Sequence, residues 1–497
     1  MRCDGTRPVC GQCTRGNRSE DCEYTDGQRP SRTQTLENDV ARLQARIQEL
    51  ENPGASAPSV TLHNPYAGST SAHAVPRLSI PTSASPIAST SSSESYNVYA
   101  TPQTSQGIMP MEEPPYYLLR AALESTIPMS RAIGFFFNVD RFRLAVTSAS
   151  GTARPSPVLL NVITLWHIQV TQAAELAGME SLLLPRVLQQ LPDTIANALP
   201  EELLFVLQTE LILAHYFLRI GRYLEARYHA NAATSLALSM RLHRQGSIDP
   251  PNMFTYVGSL QNCELPEAND AIEEGERITA WWNVFTLDQT LSVVLSVPPT
   301  IPCTRLSVTT PWPLDMTTYE RSATRSPGYH GRTATPGSIP SHTDVLRAML
   351  AHSDNAIEQT SSIAGLNAKA AALLAHASSV SSRFTIDPRI AQNPDFRTQH
   401  TALSNLIERF HQALPPLSDE TPPEIMRSLL VIYVFTNLAA VQLHHAFRDV
   451  LPSSAHLSSN AAHAVIGMIN NANARGIRFF NPILQIMYSA VVRQFGS

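Results

Sequence analysis

The chain has 497 residues, 43% of them hydrophobic and 15% charged, with a formal net charge of −5 and a pI near 6.3. That balance excludes a surface that is basic throughout, so any pull toward nucleic acid must come from a local module. The longest apolar run, Leu429–Leu443, is interrupted by Thr436 and Asn437; it reads as a buried core helix, too short and too polar to span a bilayer, and no membrane partner is expected.

Four of the six cysteines, Cys3, Cys10, Cys13 and Cys22, fall in the first twenty-two residues with the spacing C-x6-C-x2-C-x8-C. Thiolates are soft, charged ligands suited to tetrahedral zinc, and a two-residue gap lets one tight turn aim two sulfurs at one ion. Two disulfides are the alternative. No secretory signal is read ahead of the cysteines, and a reducing compartment favours metal over cystine.

The same segment closely resembles the fungal six-cysteine zinc binuclear cluster transcription factors, whose pattern is C-x2-C-x6-C, a proline-containing loop, then C-x2-C-x6-8-C. Cys3, Cys10, Cys13 and Cys22 match the third to sixth cysteines of that pattern. Asp4, Gly5 and Pro8 match its C-D-G-x-x-P-x-C loop, and Tyr24 its closing C-x-Y. The resemblance implies a zinc-dependent, sequence-specific DNA-binding regulator of RNA polymerase II transcription, located in the nucleus.

In that family two zinc ions share six thiolates, and the first and fourth cysteines bridge both ions. Counterparts of the first two cysteines are missing here. One metal position keeps Cys3 and Cys10; the other keeps Cys10, Cys13 and Cys22. A single zinc held by all four in another geometry is an alternative. The family's basic run survives only as Arg2, the expected DNA contact. Residues 1–32 carry six arginines against five acids, so their own affinity for phosphate is expected to be weak. The frame Met1-Arg2-Cys3-Asp4-Gly5 fits a family stretch R-K-M-R-C-D-G, and the resemblance implies the expectation that Met1 is an internal methionine of the basic run. The other reading is a dimerising regulatory protein or isoform that lacks DNA binding of its own because the cluster is incomplete.

After a short polar link, Leu36, Val40, Leu43, Ile47 and Leu50 recur at spacings of four, three, four and three. Leucine then occupies d and β-branched residues occupy a, the choice that favours a parallel two-stranded coil. Arg32 would face the partner's Glu37, and Arg46 the partner's Glu51. A homodimer is therefore expected from this heptad; a lone amphipathic helix packed on the body is the alternative, since just over two heptads is marginal alone. Residues 53–115 are rich in Ser, Thr, Pro and Ala with almost no charge, and read as a disordered tether. The expected organisation is a partial zinc module over 1–27, linker and coil over 28–52, tether over 53–115, and a large all-α regulatory domain over 116–497.

Within that last domain, Leu203, Leu207, Leu211, Ala214 and Leu218 form one helical stripe. Gly221 supplies a stop. Ala226, Ala230, Ala233 and Ala237 form a stripe of small residues that lets another helix approach, so Pro200–Arg244 is predicted to be an antiparallel helical hairpin. Further helices are predicted over 116–133, 156–176, 179–197, 271–296, 342–364, 366–384, 394–413, 423–449, 454–475 and 481–495. The Pro-, Thr- and Gly-rich stretch 303–340 is predicted to be a long loop. The fold class is mostly α.

Two stretches of this region resemble the middle homology region of the same family. One is Gly221-Arg-Tyr-Leu-Glu-Ala226 running to Arg241-Leu-His-Arg244. The other is Glu276-Arg277, then Ala280-Trp281-Trp282-Asn-Val-Phe285-Thr-Leu287-Asp288, then Pro298-Pro299. Leu443-His444-His445-Ala-Phe447 and Asn481-Pro482-Ile-Leu are similar to its tail. Ile278 stands where a second arginine is usual, and Gln289 follows Asp288 in place of one. Trp281 and Trp282 are expected to anchor packing between helices; Asp288 is expected to cap a helix or pair with an arginine. A ligand pocket between helices is the sharper alternative, and transcription co-regulators are further candidate partners.

No catalytic motif stands out. The chain has sixteen histidines but no H-E-x-x-H, P-loop or G-x-S-x-G. His444 and His445 are adjacent and point to different faces of a helix. Cys263 and Cys303 have no evident base beside them and read as ordinary thiols. The expectation is a non-enzyme with no catalytic residues.

Overall fold

The computed structural model describes residues 4, 6–7, 9–16, 41, 44, 113–127, 133–147, 154–172, 176–244, 265–301, 308–325, 362–418, 420–477 and 481–495. The chain divides into two compact units, Met1–Gln103 and Thr104–Ser497. In the first, the short helix α1 spans Gly11–Arg15. Of the expected coil, Ala41 and Gln44 are helical and exposed; Leu36, Val40, Leu43, Ile47 and Leu50 lie outside the described residues, as does the expected tether up to residue 112.

The second unit is helical, with no strand among the described residues. It begins with α2 (Tyr116–Ala121), which passes into a π-helical turn over Ala122–Thr126. Then come α3 (Val139–Thr147), α4 (Pro157–Thr171) and α5 (Ala177–Asn197). The hairpin α6 (Leu203–Arg219) and α7 (Tyr223–Ser239) follows, then α8 (Ala271–Val294) and α9 (Met316–Arg325). The last five are α10 (Ile363–Ile386), α11 (Pro394–Gln412), α12 (Pro423–His445), α13 (Pro452–Ala474) and α14 (Pro482–Phe495).

Helix starts follow side-chain chemistry. Ser156, Asp270, Ser362 and Asn393 each precede a helix and accept a hydrogen bond from a backbone N–H of its first turn. Proline opens α4, α11, α12, α13 and α14, where its missing N–H has no helical partner to lose. The hairpin turns as predicted: Gly221 adopts φ +78°, and Arg222 N–H reaches back to the Phe217 carbonyl at 2.9 Å.

The core is built on helices that are apolar nearly all round. Every residue of α6 except Phe205 and Arg219 is buried. Its neighbours are α7, α4 and α5, while α8 packs against α7 and α10. The alanine stripe of α7 is buried. Burying one leucine of this kind contributes about 2 kcal/mol, so this centre, with α10 against α12, supplies most of the cohesion.

Three expectations are corrected. The stretch 303–340 is not one loop: α9 forms inside it, because Tyr319 packs over Gly275 of α8 and Glu320 accepts from Asn138 Nδ2 at 2.6 Å. The helix α3 appears where none was predicted, started by Asn138, whose Oδ1 accepts the Arg141 N–H at 3.0 Å. Of the helix predicted over 116–133, the described residues 116–126 are helical, with a π-helical turn, and residues 128–132 lie outside the described residues. Finally, α12 at 23 residues is long and apolar enough to cross a membrane by length and composition, but 67% of its most apolar window is buried inside the unit. It is clasped by α10 and α13, as a core helix is. Of the helix predicted over 342–364, residues 342–361 lie outside the described residues.

Candidate functional site

In the first unit the described residues gather around two side chains, Asp4 and Cys10. Cys10 precedes α1 in extended conformation, with φ −68° and ψ 150°, and acts as its cap: Sγ accepts the Cys13 N–H at 3.4 Å. Its carbonyl accepts the Thr14 N–H at 3.0 Å and the Thr14 hydroxyl at 3.1 Å. The helix is therefore nucleated on one cysteine and carries a second within its first turn. Cys10 is buried and Cys13 half-buried.

Asp4 reaches the same turn from upstream. Both carboxylate oxygens lie 3.1 Å from the Gly11 nitrogen. Oδ1 also accepts the Thr6 hydroxyl at 2.8 Å. The Thr6 hydroxyl, followed by the Gly11 and Thr6 N–H groups, holds the Asp4 carboxyl below the usual carboxylate range. Glycine at 11 permits this approach, because a Cβ there would stand 2.5 Å from Asp4 Oδ2.

Of the predicted zinc ligands, Cys10 and Cys13 are thus brought onto one turn. Cys3, Cys22 and the predicted DNA contact Arg2 lie outside the described residues. Among the described residues no group of three or more His, Cys, Asp or Glu side chains is placed to hold a metal. Two thiols at the head of a helix, with a backbone N–H donated to one sulfur, fit one half of a tetrahedral thiolate site in donor chemistry.

In the second unit the residues singled out by sequence become packing and locking groups. Trp281 is fully buried, its ring 5.7 Å from that of His243. Trp282 stacks on Trp312 at 4.1 Å and donates Nε1–H to the Pro311 carbonyl at 2.7 Å. The buried Lys369 of α10 holds Nζ 5.1 Å from the Trp312 ring centre, and burial lowers its amine to about 8.

Asp288 neither caps a helix nor pairs with an arginine as its nearest bond. Its oxygens accept the N–H groups of Thr300 at 2.9 Å and Ile301 at 2.8 Å. Gln289, in the position where the family carries arginine, donates to the Ile301 carbonyl at 2.8 Å. From α7, Arg227 donates to the Pro298 carbonyl at 3.1 Å, and Asn231 accepts the Thr300 hydroxyl at 3.0 Å. The Pro298-Pro299 turn is therefore pinned to two helices. Burial raises the Asp288 carboxyl, opposed by the Ile301 and Thr300 N–H groups.

Glu276 is buried and accepts the Asn138 N–H at 2.8 Å; burial pushes its carboxyl up to about 7, against the pull of that N–H. Arg277 donates to Glu273 at 2.5 Å and to the Pro266 carbonyl at 2.6 Å. Ile278, the other departure from the family pattern, is a buried core residue. Inside the hairpin, Glu210 of α6 meets His229 of α7, Oε2 to Nδ1, at 2.6 Å, both side chains being buried.

The adjacent histidines separate as predicted. His444 lies between Ser404 and Ser454, each 3.2 Å away, and burial followed by the neighbouring His400 lowers it to about 4. His445 instead packs on Phe495 of α14. Cys263 and Cys303 lie outside the described residues. What sequence reasoning missed are the partners of these groups: Asn138, Thr300, Tyr319 and Gly11 carry no motif signal of their own, and only the folded chain brings them to the residues they serve.

Residues 195–328 match the family model of the fungal specific transcription factor domain. The matched stretch runs from the end of α5 through the hairpin and α8 to just beyond α9, and so contains the Trp281–Trp282 and Asp288 locks. No curated protein and no solved structure matches the chain.

Proposed function

We propose that this protein is a zinc-dependent, DNA-binding regulator of transcription acting in the nucleus, with the helical unit as its regulatory domain. The observation that carries the reading is the coincidence of two things in one chain. A fungal specific transcription factor domain is matched over 195–328, and the N-terminal cysteine run has Cys10 and Cys13 set on one helical turn. Cys3, Cys10, Cys13 and Cys22 would hold zinc, and the ion would cross-link a segment too short to build a core of its own. Arg2 would contact DNA. Leu36, Val40, Leu43, Ile47 and Leu50 would pair two copies and set the spacing of two half-sites.

The helical unit supports a regulatory role by its construction. Its motif residues spend their polar groups on backbone, as at Asp288 and Glu276, and tie its helices and turns together. Co-regulators would meet that body from outside.

A second reading is a dimerising regulator without DNA binding of its own, since residues 1–32 carry six arginines against five acids and so offer phosphate little net charge. Zinc analysis of the reduced protein, paired with duplex-DNA binding at several salt concentrations, separates the two. The DNA-binding reading expects bound zinc and a metal-dependent affinity that falls steeply with salt. Zinc-independent dimers with no affinity for duplex DNA at low salt support the second reading, and absence of zinc with cystine in its place overturns both assignments of the cysteines.

A further inference from the structure

We propose that Asp4 is the positioning residue of the zinc module: by gripping the Gly11 N–H it sets Cys10 and Cys13 in ligand geometry before metal arrives. The proposal rests on the zinc reading above and deepens it. Cys10 and Gly11 share one peptide plane, so a bond to the Gly11 nitrogen fixes the backbone that aims the Cys10 sulfur. Asp4 makes that bond with both oxygens, each at 3.1 Å.

Ordinary helix capping does not account for the contact. The cap of α1 is already Cys10, whose sulfur takes the Cys13 N–H. Asp4 lies seven residues before Gly11, outside the helix, so its bond ties Asp4 itself to the turn that carries Cys13. Thr6 steadies the carboxylate from within that loop, its hydroxyl at 2.8 Å. The loop also imposes a steric condition. Any side chain at 11 would collide with the carboxylate, at 2.5 Å for a Cβ. An aspartate and a glycine are thus paired across the loop, and the pair sits one residue from each of two predicted ligands.

Metal binding to a flexible loop loses affinity to the ordering of its ligands, and outer-shell partners that orient ligands are typically worth about 10- to 100-fold in affinity. Anaerobic Co(II) titration of the full chain, read by its thiolate-to-metal absorption and its d–d bands, tests the assignment. Asp4→Ala is expected to weaken Co(II) about tenfold and to alter the d–d envelope. Gly11→Ala is expected to do the same. Asp4→Asn keeps an amide oxygen that can accept the Gly11 N–H and is expected to recover most of the affinity. Far-ultraviolet circular dichroism should be the same for all variants, since the helical unit is untouched. Equal Co(II) affinity for Asp4→Ala and the parent overturns the proposal while leaving the zinc reading intact, and so does an Asp4→Asn variant as weak as Asp4→Ala. A parent chain whose reduced cysteines take up no Co(II) brings down the zinc reading itself, and the role of Asp4 with it.

Discussion

The described residues from Asp4 to Gly16 and the helix α6 reach order by opposite means. The first are tied by hydrogen bonds to one carboxylate and one cysteine, with a five-residue helix as the product. In α6 all but two of seventeen residues are buried, and polar bonds only sharpen what apolar burial already holds. A short segment of the first kind depends on each bond singly. A body of the second kind spreads its cohesion over many contacts, and its polar groups serve to select one arrangement among several apolar ones.

The contrast can be broken within the helical unit. Trp281→Ala should have the largest effect. Removing a fully buried indole from the centre of the matched domain is expected to cost about 3–5 kcal/mol in urea unfolding.

Next comes the pH dependence of Glu276. Its carboxyl in the folded chain is raised to about 7 from an ordinary 4.5, so the folded state holds the proton more tightly than the unfolded one. The resulting stabilisation is complete below pH 4.5 and is lost as pH rises through 7. Glu276→Gln stays neutral and can still accept the Asn138 N–H. It should therefore remove that decline and gain roughly 2–3 kcal/mol on the parent above pH 7. Melting temperatures of the two proteins measured from pH 5 to 8.5 should diverge; parallel curves would place the Glu276 carboxyl back in the ordinary range.

The smallest effect is expected from Gly275→Ala. The new Cβ would stand 2.4 Å from the Tyr319 ring. Overpacking of this kind costs about 1–3 kcal/mol, and the better helix propensity of alanine offsets about 1 kcal/mol of it. A net loss near 1 kcal/mol is the outcome sought in denaturant titration. A variant more stable than the parent would show that Tyr319 yields easily and that α9 is only loosely seated.

Much of the helical unit was legible in advance because its signals are local. Capping residues and prolines mark starts at Ser156, Asp270, Asn393 and Pro423 within a few residues, and Gly221 marks a stop. The helices that escaped, α3 and α9, have none of that redundancy. Valine, threonine and serine dilute their apolar period, and each is fixed by a long-range bond, Asn138 to Glu276 and Glu320 in the one case and Tyr319 on Gly275 in the other. The candidate metal site divides in the same way. The spacing of Cys10 and Cys13 speaks for itself in a string of letters. The grip of Asp4 on Gly11 does not, because a hydrogen bond across seven residues exists only once the loop has closed.

The bond between Glu210 and His229 has a consequence for how the hairpin finds its alignment. Two helices faced with leucine and alanine can slide past each other by a turn and still cover most of their oily surface. A carboxylate and an imidazole that meet at a single point do not tolerate such a slip: moved one turn, each would be stranded in hydrocarbon, at a penalty of several kcal/mol. One polar peg among smooth walls thus acts as a dowel, making the correct seating of the two rods the only one that closes.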